Sequence, residues 1–214
     1  LLVFLAAARA SGIENPATGT FLLNMGMDLV AMVAQVLTLV LAARQFPEEM
    51  ENRTLYPLLA RPVRRAEVLV GKWLACAMAG ISFYGVMTWA VWLLAPRMEF
   101  YDGGTCLQAV FLQGFAVATV AAWAMAVSLG LPKGPAILVS AFLVFGAGPL
   151  ARLVDGDRLG RWVPDLAKLN LTLRYTDGIG PLPAGDLACL VLGAVIWIVL
   201  GLVAGIYLFN RKNL

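Results

Sequence analysis

The chain has no histidine and only three cysteines, Cys76, Cys106 and Cys189, among its 214 residues. Without imidazole, a Ser-His-Asp triad, a histidine metal site and a histidine proton relay are all excluded. The cysteines lie far apart in or beside apolar runs, and they lack the paired spacing of a zinc site or a redox motif. We therefore interpret all three as packing residues.

Charged residues are also scarce, at 14% of the chain, whereas apolar residues make up 61%. Soluble globular domains average about 25% charged and about 45–50% apolar residues. Ten charged residues lie between Arg44 and Lys72 and ten more between Arg152 and Asp186, so long stretches are almost free of charge. This composition excludes a disordered chain, a disulfide scaffold and a nucleic-acid-binding module, and it favours a polytopic membrane protein.

The apolar runs predict the fold, because a helix needs ~20 residues to cross a bilayer core about 30 Å thick. Five runs are long enough, and they cover residues 21–43, 70–95, 106–130, 135–154 and 187–209. Residues 1–8 resemble the end of a sixth run, so we expect further residues upstream of Leu1. The prediction is an all-α, polytopic membrane helical bundle forming a single domain over residues 1–214, with six transmembrane helices of which the first is truncated.

The basic residues predict the orientation, since cytoplasmic loops carry an excess of lysine and arginine. The connection that follows the run 21–43 is rich in arginine, and the tail after the last run contains Arg211 and Lys212. Both lie on the same side of a six-span bundle, where the count of basic residues is 9 against 7 on the other side. We expect a multi-pass protein of the cell inner membrane with both termini in the cytoplasm.

Small residues within two runs predict close helix packing. Helices in lipid associate through small residues and a few polar contacts. One run has small residues at every fourth position, namely Gly114, Ala118, Ala122, Ala126 and Gly130, and this ridge should face another helix. The last run has Gly193, Gly201 and Gly205 on one side. Those glycines form either a moving or dimer-forming face or a static contact within one subunit.

A polar stripe follows the run 21–43. Asp28 is the acidic residue placed well inside a span, and Asn24, Gln35 and Thr38 share its helical face. Ionisable groups in hydrocarbon are costly and usually face a bundle interior or a water-filled cavity. Asp28 and Gln35 are therefore candidates to line a translocation path or a subunit contact. The alternative is an aspartate near the outer interface that is hydrogen-bonded to a neighbour.

The connection from residue 44 to residue 69 has the pattern of a short amphipathic helix. Pro47 suits the first turn of such a helix, and the acidic residues that follow complement the helix dipole. Leu55 and Leu58 continue an apolar face, and Pro57 ends or kinks the helix. The pattern alone leaves open whether lipid headgroups or a soluble partner protein cover that face.

The motifs of this connection resemble those of a known family. They read Glu51-x-x-Thr54-Leu55, then Leu58-Leu59-x-Arg61-Pro62-Val63-x-Arg65-x-Glu67, then Gly71-Lys72. In this order they are similar to the loop after the second span of ABC-2-type transporter permeases. Further similarities are Pro164, Leu166 and Asn170 before the last span, and Phe209, Arg211 and Lys212 at the end of the chain.

The resemblance implies that the loop is a cytoplasmic amphipathic coupling helix that docks on a cytosolic ATP-binding subunit. The residues expected to make this contact are Glu49, Glu51, Arg53, Leu55, Leu58, Arg61 and Arg65. It also implies a second permease subunit, identical or related, and an environment of membrane lipids. The corresponding external segment of such permeases, residues 155–186 here, is extracellular and partly re-entrant. From its own pattern this segment is equally an interfacial helix joining two spans.

The expected function is that of an export permease, driven by a separate ATPase. This chain needs no cofactor in that interpretation, and ATP with Mg²⁺ would bind the partner ATPase. The Gly71-Lys72 pair lacks the upstream glycine and the following Ser or Thr of a phosphate-binding loop. A membrane scaffold or channel that is not driven by ATP is the alternative. An intramembrane enzyme is less favoured, because an aspartyl protease needs two facing carboxylates and only Asp28 lies within a span.

Overall fold

A computed structural model describes residues 16–52, 64–94, 103–146, 166–171 and 180–211 of the chain. Within these ranges the backbone is helical apart from short turns and connections. The helices are α1 Pro16–Glu51, α2 Arg65–Leu94, α3 Gly103–Ser128, α4 Lys133–Ala141, α5 Leu166–Leu169 and α6 Ala184–Arg211, and a π-helical segment, Phe142–Gly146, continues α4. The prediction of an all-α bundle is confirmed.

Four of the described helices, α1, α2, α3 and α6, are long and apolar enough to cross a membrane, and Gly134–Gly146 forms a shorter apolar helix. These helices contain or overlap the five apolar runs of the sequence. The truncated first span, residues 1–8, lies outside the described residues. The architecture is therefore that of a helical membrane bundle.

The helices alternate in direction and define two ends of the bundle. The last turn of α1 and the first turns of α2 lie together, because Glu49 forms an ion pair with Lys72. The first turn of α2 also contacts the end of α6 through Arg65 and Phe209. We call this the basic end, and the opposite end, where Asn170 contacts Asp28, the distal end. The helices α1, α3 and α6 run toward the basic end.

The central helix is α3, which packs against α1, α2, α4, α5 and α6. Its composition explains this position, because α3 is rich in alanine, whose small side chain lets neighbouring helices approach closely. Without a strong hydrophobic drive between helices in lipid, such close approach maximises dispersion contacts. By contrast, most of α6 is exposed, and its outer face carries bulky aliphatic residues such as Leu192 and Val203.

The predicted small-residue ridge faces other helices at its centre. Ala118, Ala122 and Ala126 are buried, whereas Gly130, beyond the end of α3, is exposed. A side chain at Gly201 of α6 would meet Ala122 Cβ at 3.1 Å, and one at Gly205 would lie 3.7 Å from Ala126 Cα. Of the two interpretations of these α6 glycines, the structure therefore supports packing inside one subunit. Gly193 has nothing within 4 Å of its built Cβ position.

The prediction that a helix begins at Pro47 is wrong, because α1 continues through Pro47 to Glu51. A proline inside a helix removes one backbone hydrogen bond and costs about 3 kcal/mol. Contacts made by the end of α1 offset this cost. The Phe46 side chain is completely buried, and Glu49 pairs with Lys72. The start of the expected amphipathic loop is thus the end of α1, and residues 53–63 lie outside the described residues.

The three packed helices α1, α2 and α3 approach one another closely at Gly80 of α2. A Cβ atom built there would overlap the hydroxyl oxygen of Thr38 on α1 and would lie 2.7 Å from Cγ1 of Val117 on α3. Both neighbours are completely buried. Only glycine therefore permits this crossing.

Replacing Gly80 by alanine is expected to destabilise the bundle by roughly 1–3 kcal/mol through overpacking. The matched control is Gly85→Ala on the same helix, where the built Cβ meets nothing within 4 Å. Thermal unfolding of the detergent-purified chain should show a lower Tm for Gly80→Ala and an unchanged or higher one for Gly85→Ala. Equal Tm values for the two variants would contradict the close approach of the helices at Gly80.

Candidate functional site

The structure describes five of the nine candidate site residues that the sequence predicts. Glu49 and Glu51 lie in the last turn of α1, Arg65 begins α2, and Asp28 and Gln35 lie on α1. The remaining nominated residues, all in the connection between α1 and α2, lie outside the described residues, and they are Arg53, Leu55, Leu58 and Arg61. Their contact with an ATPase stays a prediction.

At the basic end, α1 and α2 are joined by an ion pair that the sequence did not predict. The Lys72 ammonium group pairs with the Glu49 carboxylate and lies 4.9 Å from the centroid of the Phe46 ring. The Lys72 side chain is only 14% exposed and that of Glu49 is 30% exposed. The Arg44–Glu48 pair, within α1 alone, is 54% and 34% exposed. Partial burial weakens solvent screening, so the attraction in the Glu49–Lys72 pair is the less screened of the two.

The contacts at the basic end also reach the end of α6. A guanidinium nitrogen of Arg65 donates a hydrogen bond of 3.0 Å to the backbone carbonyl of Phe209, and the guanidinium carbon lies 5.7 Å from the Phe209 ring centroid. The last carbonyls of a helix have no partner within the helix, and a basic side chain there also complements the helix dipole. Arg65 thus caps α6.

Two phenylalanines complete this contact. The rings of Phe46 on α1 and Phe209 on α6 are 5.4 Å apart and tilted by 57°, a geometry that aromatic pairs favour. Both side chains are fully buried. We define the basic-end cluster as Phe46, Glu49, Arg65, Lys72 and Phe209. The cluster joins the two helices that flank residues 53–63 to each other and to α6.

Asp28 and Gln35 have different surroundings. Asp28 is exposed at the distal end, where its Oδ1 accepts a 2.8 Å hydrogen bond from Nδ2 of Asn170. Gln35 is buried inside the bundle. Thr38 is buried with it and donates a 2.7 Å hydrogen bond to the Ala34 carbonyl. Asn170 is therefore the hydrogen-bonded neighbour that the alternative interpretation of Asp28 requires. A role for Asp28 or Gln35 in a translocation path or a subunit contact stays a prediction.

A second polar contact at the distal end fixes the chain just before α6. The Gln108 side chain on α3 donates to the Leu182 carbonyl at 3.2 Å and accepts from the Leu182 amide at 2.8 Å. Leu169 and Leu171 are buried in the apolar cluster that contains Ala109 and that Leu182 packs against. Within residues 155–186, the described residues 166–171 and 180–183 therefore dock on α3.

Several of these contacts were missed from the sequence. The sequence marks Lys72 as a basic residue of the connection and as part of the Gly71-Lys72 motif, but it does not indicate a partner for it. Lys72 lies inside α2, so this pair forms no phosphate-binding loop. Phe46 and Phe209 are far apart in the chain, and no local pattern indicates that they meet. Gln108 gives no signal beyond being a polar residue near the start of an apolar run.

The arrangement provides anchoring contacts at both ends of the bundle and no metal centre in its described part. Among the described residues, no group of three or more His, Cys, Asp or Glu residues could hold a metal ion. The interhelical contacts named above are an ion pair, hydrogen bonds, ring contacts and apolar packing. Such contacts hold helices together.

The fold defines the class of protein: a multi-pass helical membrane protein with long apolar spans and polar anchors at both ends. The chain belongs to the ABC-2 family transporter proteins, whose family pattern it matches over residues 3–214. It is therefore a membrane permease of an ABC transporter, a transport subunit that is not itself catalytic. It is also 26% identical over 187 residues to the uncharacterized membrane protein YdbK of Bacillus subtilis (strain 168), covering 79% of this chain and 75% of YdbK.

Replacing Gln108 by leucine should release the residues before α6, because both hydrogen bonds to Leu182 are lost. Each such bond contributes about 0.5–1.5 kcal/mol, so amide exchange at Leu182 should become roughly tenfold faster. Gln108→Glu keeps an acceptor for the Leu182 amide and should give an intermediate rate. Hydrogen exchange with mass spectrometry measures this directly. Unchanged protection in Gln108→Leu would show that the contact does not hold this segment.

Proposed function

We propose that this permease exports its substrate with energy from a separate cytosolic ATPase that binds at the basic end. Family membership carries the proposal, since a permease of an ABC transporter implies an ATP-binding partner. The basic-end cluster supports it, because residues 53–63 emerge from two helices that are tied together and to α6. Force applied to the connection between α1 and α2 would therefore reach three helices at once.

The proposed orientation places the basic end in the cytoplasm of a cell with the protein in its inner membrane. The described basic residues at this end include Arg44, Arg64, Arg65, Lys72 and Arg211. Cytoplasmic loops have this bias. In this orientation the C-terminal end of α6 is cytoplasmic, and the distal end, with Asn170 and Leu182, faces outward.

Transport in this proposal takes place between two permease subunits, identical or related. ATP-driven closure of the ATPase would rotate the loops and rock the spans, which requires a difference in contact energy of a few kcal/mol between the two states. ATP and Mg²⁺ would bind the ATPase. A scaffold or channel independent of ATP is the alternative, and it predicts purification without an ATPase.

Charge reversal at Glu51 tests the docking surface. Glu51 is exposed at the end of α1, next to the loop. Glu51→Lys should weaken co-purification of the ATPase roughly tenfold, because it places a positive charge where a negative one met the partner. The control is Asp186→Lys, an exposed acidic residue in the first turn of α6 at the distal end. If both variants retain the ATPase equally, Glu51 is not part of the docking surface. If the wild-type chain retains no ATPase, the proposed function is wrong.

A path lined by Asp28 should be accessible to water. In a chain whose three cysteines are replaced, Asp28→Cys should react with a membrane-impermeant maleimide, because a thiol reacts as thiolate and needs water. The control is Leu192→Cys on the outer face of α6, where Leu192 is 62% exposed among aliphatic residues. An aspartate at the outer interface would also be labelled at position 28, so a path additionally requires labelling of Gln35→Cys, a buried position on the same helix. Absence of labelling at position 28 removes the pathway interpretation.

A further inference from the structure

The end of α1 and the start of α2 flank residues 53–63, and the Lys72 side chain of α2 contacts two residues near the end of α1. It forms the ion pair with Glu49 and the cation–π contact with Phe46. Both partners lie near the end of α1, whereas Lys72 lies two turns into α2. A compact charge on a flexible stem that is held by two groups of another helix has little freedom to move.

The contact between Lys72 and its two partners is partly buried, and this burial makes its loss costly. Because Lys72 is only 14% exposed, loss of either partner would leave a poorly hydrated charge at the helix contact. The helices would then be expected to separate or to admit water. Cys76, one turn further along α2, donates a 3.2 Å hydrogen bond to Oε1 of Gln45, so the polar contact between α1 and α2 continues past Lys72.

We propose that Lys72 is a positioning residue for energy coupling, which fixes the two flanks of the loop at residues 53–63 relative to each other through Glu49 and Phe46. Glu49 then acts inside the chain and not as a contact of the ATPase. The proposal rests on the proposed function for its role in coupling, and on the basic-end cluster alone for the geometry of the flanks.

The geometric part is tested by distance measurement on the permease alone. Spin labels are attached to Asn52→Cys and Arg64→Cys, which are exposed positions on the two flanks, in a chain without its native cysteines. Double electron–electron resonance in nanodiscs should give a narrow distance distribution. Lys72→Met, which keeps the stem and removes the charge, should broaden it about twofold, because the flanks are released. Lys72→Arg, which keeps the charge and the cation–π contact, should leave it narrow.

A matched control comes from the other ion pair at the same end. Arg44→Met breaks the Arg44–Glu48 pair, which lies within α1 and is more exposed, and it should leave the distribution narrow. The exchanged variant Glu49→Lys with Lys72→Glu should restore much of the narrowness lost in Lys72→Met, because paired residues are coupled. A distribution that stays narrow in Lys72→Met, or broadens equally in Lys72→Arg, overturns the proposal.

The coupling part is tested on the complex with its co-purifying ATPase. Lys72→Met should lower ATP hydrolysis by the assembled complex about fivefold with the amount of bound ATPase unchanged, because motion of the loop no longer biases the spans. Lys72→Arg should restore hydrolysis. A loss of bound ATPase in Lys72→Met would instead place Lys72 or Glu49 in the docking contact and overturn the positioning role. If the wild-type chain binds no ATPase, the proposed function fails, and the distance measurement still decides the geometry.

Discussion

The structure depends on one constraint: helices in lipid must hold together without a strong hydrophobic drive, so their backbones have to approach closely. This chain meets the constraint with alanine and glycine. The alanine-rich α3 occupies the centre, Gly201 and Gly205 bring α6 against it, and Gly80 admits Thr38 and Val117 at the crossing of α1, α2 and α3. Because these contacts are short and buried, a helix of this bundle can move only with its neighbours or by sliding along a smooth surface.

Polar contacts near the helix ends complement this apolar packing. Charges are costly in hydrocarbon and less so near the headgroups, where water is close. At the basic end, Lys72 and Arg65 join α2 to α1 and α6. At the distal end, Asn170 and Gln108 hold the chain that precedes α6 against α1 and α3. The helix α6 thus has an anchor at each end, and α3 packs along its length.

Much of the fold could be predicted from the sequence, because apolar runs of bilayer length have few alternatives to helix. The centre of the small-residue ridge on α3 also met its expectation, since small residues every fourth position leave a face that lipid fills poorly. The helix start at Pro47 was wrong, because a local rule for proline was overridden by the burial of Phe46. For the candidate site, the sequence selected Glu49, Arg65 and Asp28, whose proposed roles stay predictions, and it did not pair them with Lys72, Phe209 and Asn170.

The sequence by itself determined the class of the protein and the position of the basic connection, because hydropathy and charge are properties of local composition. Only the tertiary structure decided which helix is central and which charges are paired. Phe46 and Phe209, or Arg65 and the Phe209 carbonyl, meet because three helices converge at one end. The helices converge because their side chains fit together, and this fit cannot be read from the sequence of any one helix.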